Sequence, residues 1–169
     1  MKKVLIIAQV HQVLVEKLDA LGYQCELRED MNPAQCFACI ADYEGMITSN
    51  KLEVRAPLID AGLRLKWIGR LGSGMEIIDT EYAREKGIAC FNSPEGNANA
   101  VAEQALGMLL GLRHHIFKSN LEIRNGQWLR DENRGTEIEG KTAGIIGLGH
   151  NGSAFAQKLL GMGVRVLAS

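Results

Sequence analysis

Three glycines, Gly147, Gly149 and Gly152, stand in the run Gly144-Ile145-Ile146-Gly147-Leu148-Gly149-His150-Asn151-Gly152. At this spacing the first permits a tight turn, the second lets a phosphate approach the backbone, and the third lets a helix pack closely on a strand. N–H groups at the following helix start, with the helix dipole behind them, suit a pyrophosphate. A glycine triplet alone is a weak signal, so its flanks decide. Thr142 to Ile146 reads as a short buried strand, Ser153 to Met162 carries apolar residues at helical spacing, and Val164 to Ala168 reads as a second strand. Strand, glycine turn, helix and strand are the first crossover of a dinucleotide-binding sheet, and that context outweighs a glycine turn that binds nothing.

Three more loops follow strands, where a parallel sheet places its ligands: Thr48-Ser49-Asn50-Lys51, Leu71-Gly72-Ser73-Gly74, and Asn92 to Asn97. Alternating glycines in the second expose backbone N–H groups that suit a carboxylate or phosphate. An ordinary turn whose glycines supply positive φ explains the same residues about as well. Lys51 could add a positive charge to this rim, although a solvated lysine accounts for it on its own. Cys36-Phe37-Ala38-Cys39 follows Met31-Asn32-Pro33-Ala34 rather than a strand, so both thiols read as structural cysteines on a short amphipathic helix, not as a redox pair. With Cys25 and Cys90 they supply no second ligand pair for zinc.

The elements that must position these loops alternate. Strands are expected at Val4–Ala8, Tyr23–Leu27, Gly45–Thr48, Lys66–Arg70 and Ile88–Phe91. Between them lie helices at Val13–Leu21 closed by Gly22, Pro33–Ile40 capped by Asn32, Ala56–Ala61 ended by Gly62, and Asp79–Lys86 stopped by Gly87. This order predicts an α/β, flavodoxin-like doubly wound parallel sheet over residues 1–96. The second domain, 97–169, would open with a long apolar helix, Ala98 to Phe117, too apolar to lie on a surface and therefore buried between domains or subunits. A more polar helix, Ser119 to Asn125, and a charged loop, Gln127 to Gly140, lead into the glycine run.

Net charge is −1 with both signs well mixed, which argues against nucleic acid or an anionic membrane as partner. No apolar run approaches the roughly twenty residues of a membrane span, and the apolar part of the start is too short for a signal peptide, so a cytoplasmic protein is expected.

Taken together, Lys66-Trp67-Ile68-Gly69-Arg70-Leu71-Gly72-Ser73-Gly74, Ile78-Asp79, Asn92-Ser93-Pro94, Asn97 with Val101-Ala102-Glu103, Gly126 with Trp128, Glu139-Gly140-Lys141-Thr142 and the glycine run resemble the D-isomer-specific 2-hydroxyacid dehydrogenase family, most closely its phosphoglycerate branch. The likeness extends over essentially the whole chain. It implies two doubly wound domains, with a hinge at Asn92 to Asn97, and hydride transfer between NAD and C2 of a D-2-hydroxy acid. It implies that Ser73 and Gly74 offer backbone N–H groups to the substrate carboxylate, that Asn50 and Lys51 face its distal end, and that Val101 lies near the nicotinamide. Gly147, Gly149, His150, Asn151 and Gly152 would hold the pyrophosphate, and a homodimer would form through the helix from Ala98. Departures are His150 where arginine is frequent, Glu76-Ile77 where Asp-Asn is usual, and a 48–51 loop without the arginine that many phosphoglycerate enzymes carry.

The resemblance also implies a catalytic histidine, arginine and glutamate that would lie after Ser169, so the chain reads as the N-terminal half of such an enzyme and is expected to be inactive by itself. His114 and His115, at the end of the long helix, are placed to complement its dipole rather than to replace them. The last strand would then be an edge, with apolar surface exposed beside it. Alternatives are a glyoxylate or hydroxypyruvate reductase, an NAD-sensing corepressor of the same fold, and a natural short regulatory paralogue.

Overall fold

Alternation along β1 (Lys2–Ile6) decides how the first sheet is covered: Val4 and Ile6 point to one face, Leu5 and then Ile7 to the other, and all four are buried. The computed structural model of the protein describes residues 2–169. The chain divides into a first unit up to Pro94 and a second, Glu95–Ser169.

In the first unit β1 is followed by α1 (Gln12–Ala20), β2 (Tyr23–Leu27), α2 (Pro33–Cys39), a 3-10 turn at Ile40–Asp42, β3 (Gly45–Thr48), α3 (Ala56–Ala61), β4 (Trp67–Arg70), α4 (Thr80–Glu85) and β5 (Ala89–Phe91). The sheet is parallel throughout, in the order β2-β1-β3-β4-β5, the flavodoxin-like order expected. Register runs Val4 to Gly45, Gly45 to Trp67 and Trp67 to Ala89. Leu18 and Leu14 of α1 cover Val4, Ile6 and Ile47 on one face. Cys36, Leu58, Ile59 and Ala83 from α2, α3 and α4 cover Leu5, Met46 and Ile68 on the other. Asn32 caps α2 by accepting the Gln35 N–H, and the Gln35 side chain accepts the Asn32 N–H in return. At the sheet edge the Tyr43 hydroxyl donates to Glu26 at 2.6 Å and Lys3 stands 2.9 Å from it, which holds the Glu26 carboxyl below the usual range.

The cysteines are free. Burial, with Cys39 nearby, pushes the Cys36 thiol up to about 11, so it is a protonated packing group.

In the second unit α5 (Ala98–Arg113) and α6 (Ile116–Arg124) precede a two-stranded parallel sheet, β6 (Thr142–Ile145) and β7 (Arg165–Ala168), joined by α7 (His150–Gly161). Two helices are expected here, but the first ends at Arg113 rather than Phe117, and Ile116 and Phe117 open the second, expected from Ser119. The break falls at His114 and His115, the latter left-handed at φ 51°. Phe117 then folds back against Gly111, where its ring occupies the space a β-carbon would need. The long helix is expected to be buried between domains or subunits, and in the single chain one side of it is covered. Ala102 is buried, yet Met108 and Leu112 are 61 % and 71 % exposed. Lys158 of α7 bonds Asn99 of α5 at 2.8 Å and fixes the inner face. The helix expected from Ser153 begins three residues earlier, at His150, so Gly152 lies inside its first turn. The charged 127–140 segment is irregular, as expected, and is held by Ile138 in the core with Leu159 and Val164.

Candidate functional site

Parallel strands end along one edge, and the Leu71 N–H extends the β3–β4 ladder one step by donating to the Thr48 carbonyl at 2.9 Å. The chain then turns through Gly72, at φ +154°. Two successive carbonyls in this turn are taken by the segment after β5: Gly72 accepts the Ser93 N–H at 3.2 Å, and Ser73 accepts the Asn92 side-chain amide. In a trans peptide the N–H points opposite its carbonyl. The N–H groups of Ser73 and Gly74, which belong to those two peptides, therefore face away from the Asn92–Ser93 segment. Paired main-chain donors of this kind suit a carboxylate.

Arg70, the last residue of β4, anchors the turn, and it is a functional candidate that sequence reasoning missed. Its side chain is only 8 % exposed. Nη2 donates to Asn50 Oδ1 at 2.7 Å and pairs with Glu76 Oε1 at 3.1 Å, while Nη1 donates to the Gly74 carbonyl. Nε is buried without a partner. The signal was present as a cation closing the otherwise uncharged strand Trp67-Ile68-Gly69. At Gly74 the Glu76 carboxylate occupies the space a β-carbon would take.

Of the four substrate residues expected, the structure joins Asn50 and Gly74 through Arg70 and fastens Ser73 through Asn92. Lys51 turns instead to the end of β2, with Nζ 3.2 Å from the Glu29 carbonyl.

In the second unit the glycine turn has the geometry its spacing predicts. Gly147 adopts φ +90°, and its N–H donates to the Ser169 carbonyl at 2.9 Å. Gly149 is the N-cap of α7 with no side chain over the helix end, and the space at its β-carbon position is open. Gly152 packs on the Gly147 carbonyl so closely that a β-carbon would overlap it. His150, Asn151 and Gly152 supply first-turn N–H groups, which have no intrahelical acceptor. An open N-cap with donors aimed outward fits a dinucleotide pyrophosphate. Val101, on the second turn of α5, is 38 % exposed. His114 and His115 form the helix junction, where the Arg113 carbonyl accepts the Thr136 N–H at 3.0 Å.

Comparison with known proteins agrees with both halves. The family model described as D-isomer specific 2-hydroxyacid dehydrogenase, catalytic domain, matches residues 4–164. A D-3-phosphoglycerate dehydrogenase of Synechocystis is 36 % identical over 168 residues, 99 % of this chain and 30 % of that protein. A hydroxypyruvate reductase of Thermotoga maritima is 34 % identical over 140 residues, 83 % of this chain and 46 % of that protein. The chain thus spans less than half the length of either relative. Among solved structures, a glyoxylate reductase from Paecilomyes thermophila superposes with TM-score 0.83 at 26 % identity, over 99 % of this chain and 55 % of the other. An NAD+-bound 3-phosphoglycerate dehydrogenase of Entamoeba histolytica does so with TM-score 0.78 at 26 % identity, over 99 % and 53 %. With the flavodoxin-like sheet, the fastened 72–74 turn and the glycine-capped helix in place, the chain belongs to the D-isomer specific 2-hydroxyacid dehydrogenase family.

Proposed function

We propose that the protein is an oxidoreductase that moves a hydride between NAD and C2 of a D-2-hydroxy acid, and that this chain contributes the substrate-carboxylate turn and the pyrophosphate turn. The observation that carries the reading is the orientation of the Ser73 and Gly74 amides, set by two clamped carbonyls. Ser73 and Gly74 bind and orient the acid by its carboxylate; Arg70 holds their turn rigid, so the donors need not reorganise when an anion arrives. In the second unit Gly147, Gly149, His150, Asn151 and Gly152 seat the pyrophosphate, and Val101 offers an apolar contact to the nicotinamide. When bound, NAD supplies the hydride acceptor. The outer face of α5, with Met108 and Leu112, is the surface for a homodimer. Among the described residues no helix is long and apolar enough to cross a membrane.

Amide NMR of the 15N-labelled protein tests the reading. Hydroxypyruvate is expected to shift the Ser73 and Gly74 amides, and NADH those from Gly147 to Gly152. Saturating ligand that leaves both sets unmoved would overturn it. Sedimentation of M108E/L112E beside the unmodified chain tests the dimer, which the double substitution should dissociate.

A further inference from the structure

The charge around the 72–74 turn is more tightly committed than a doubly charged substrate would require. Residues 48–55 and 70–76 carry three cations, Lys51, Arg55 and Arg70, against two carboxylates, Glu53 and Glu76. Each cation is engaged. Arg55 stands 3.3 Å from Glu53 and donates to the Glu76 carbonyl at 3.0 Å, and Lys51 is turned to the Glu29 carbonyl. Arg70, buried in the turn, holds the Glu76 carboxylate. Glu76, with its side chain 68 % exposed, is thus engaged at both ends, its carbonyl by Arg55 and its carboxylate by Arg70. That carboxylate also lies against Gly74, in the space a side chain would occupy.

We propose, resting on the carboxylate-turn reading above, that Glu76 is a specificity-determining residue: by occupying Arg70 it excludes a second anionic group on the substrate. The acid this site selects is then a short monoanion with an uncharged tail, of the hydroxypyruvate or glyoxylate type, rather than one that also bears a phosphate. One net positive charge in the two loops matches one carboxylate. A phosphate tail, carrying close to two further negative charges, would meet a carboxylate where it needs a cation, and like charges brought together oppose binding. Asn50 reinforces the arrangement by accepting from the same Arg70 nitrogen, so that Arg70 stays pinned toward the protein interior.

The test compares binding of hydroxypyruvate and 3-phosphoglycerate, followed at the Ser73 and Gly74 amides, in the unmodified protein, Glu76→Gln and Glu53→Gln. Hydroxypyruvate should bind more tightly than 3-phosphoglycerate to the unmodified protein. Glu76→Gln should move the ratio of affinities toward 3-phosphoglycerate by about tenfold, the effect of one released close ion pair. Glu53→Gln changes net charge equally without touching Arg70 and should leave the ratio within about twofold. Equal binding of the two acids by the unmodified protein, or equal responses to the two substitutions, would overturn the proposal. If neither acid moves these amides in any variant, the carboxylate-turn reading itself falls, and this inference with it. Should Glu76→Gln lose its dispersed spectrum, Glu76→Asp carries the same comparison, its shorter reach loosening the grip on Arg70 and giving a smaller shift of the same sign.

Discussion

Trp67 of β4 and Tyr23 of β2 meet edge to face, ring centroids 5.8 Å apart, and the indole N–H donates to the tyrosine hydroxyl at 3.3 Å. Their strands do not pair; β1 and β3 run between them. The contact exists because Gly45, the register partner of Trp67 on β3, has no side chain, and the indole lies across the space left open. Gly45→Ala should displace the indole and destabilise the first unit by about 1–3 kcal/mol, the usual cost of overpacking. Urea unfolding checks the magnitude, and in a Trp128→Phe background the Trp67 fluorescence should shift toward the red.

The clamped turn gives a second prediction. Asn92→Ala removes the donor to the Ser73 carbonyl and should loosen the turn locally by about 1 kcal/mol. Hydrogen exchange at Ser93, whose N–H is bonded to the Gly72 carbonyl, should speed up severalfold while the midpoint of global unfolding barely moves. Unchanged exchange at Ser93 would show that its own bond to Gly72 suffices to hold the turn.

Two glycines of one triplet should behave differently. Gly152→Ala drives a β-carbon into the Gly147 carbonyl and should cost about 1–3 kcal/mol of stability. Gly149→Ala meets open space, with φ −78° that any residue adopts, and should cost less than about 1 kcal/mol while weakening NADH binding. Thermal unfolding and nucleotide titration of the pair separate folding from binding.

Cysteine titration fixes a pH dependence. The Cys36 thiol is raised to about 11 from 9.0, so the unfolded chain releases this proton first as pH rises. Stability from the buried neutral thiol is present below pH 9 and declines between about 9 and 11. Stability curves for the unmodified protein and Cys36→Val should therefore converge across that window. At pH 8, Cys36 should also be alkylated last of the four cysteines, because it is fully buried and protonated.

His115 is left-handed with a β-carbon, an arrangement that glycine adopts at lower cost. His115→Gly should raise thermal stability by about 0.5–1 kcal/mol, read as an increase in Tm. A decrease would mean that the imidazole holds the junction.

The first sheet was legible because Val4–Ile6 of β1 and Gly45–Ile47 of β3 are buried apolar runs without polar interruption, and because β2 alternates Tyr23, Cys25 and Leu27 with polar Gln24 and Glu26. The break after Arg113 was not. Leu112, Ile116 and Phe117 continue an apolar pattern, and the helix ends where Phe117 returns over the backbone of Gly111, a contact that no local spacing announces. Within the site, the glycine turns were readable because glycine types report backbone demands directly. Arg70 was passed over for a different reason: an arginine is expected on a surface, and its burial depends on Asn50 arriving from the loop after β3 and on Glu76 folding back from the loop after Arg70 itself. Lys51 was correctly placed in its loop, yet the direction of a long flexible side chain is decided by an acceptor twenty-two residues earlier.

The fastened carbonyls of Gly72 and Ser73 have a hereditary consequence. The donors they orient belong to the main chain, and no codon change can delete a peptide N–H except one to proline. Under the proposed function, anion recognition at this turn is shielded from substitutions that leave Gly72 and Gly74 in place, whereas Asn50, Glu76 and Lys51 around it are each one base change from a different charge or shape. On that reading, a lineage carrying this turn can exchange one acid for another through its neighbours while the main-chain donors stay in place.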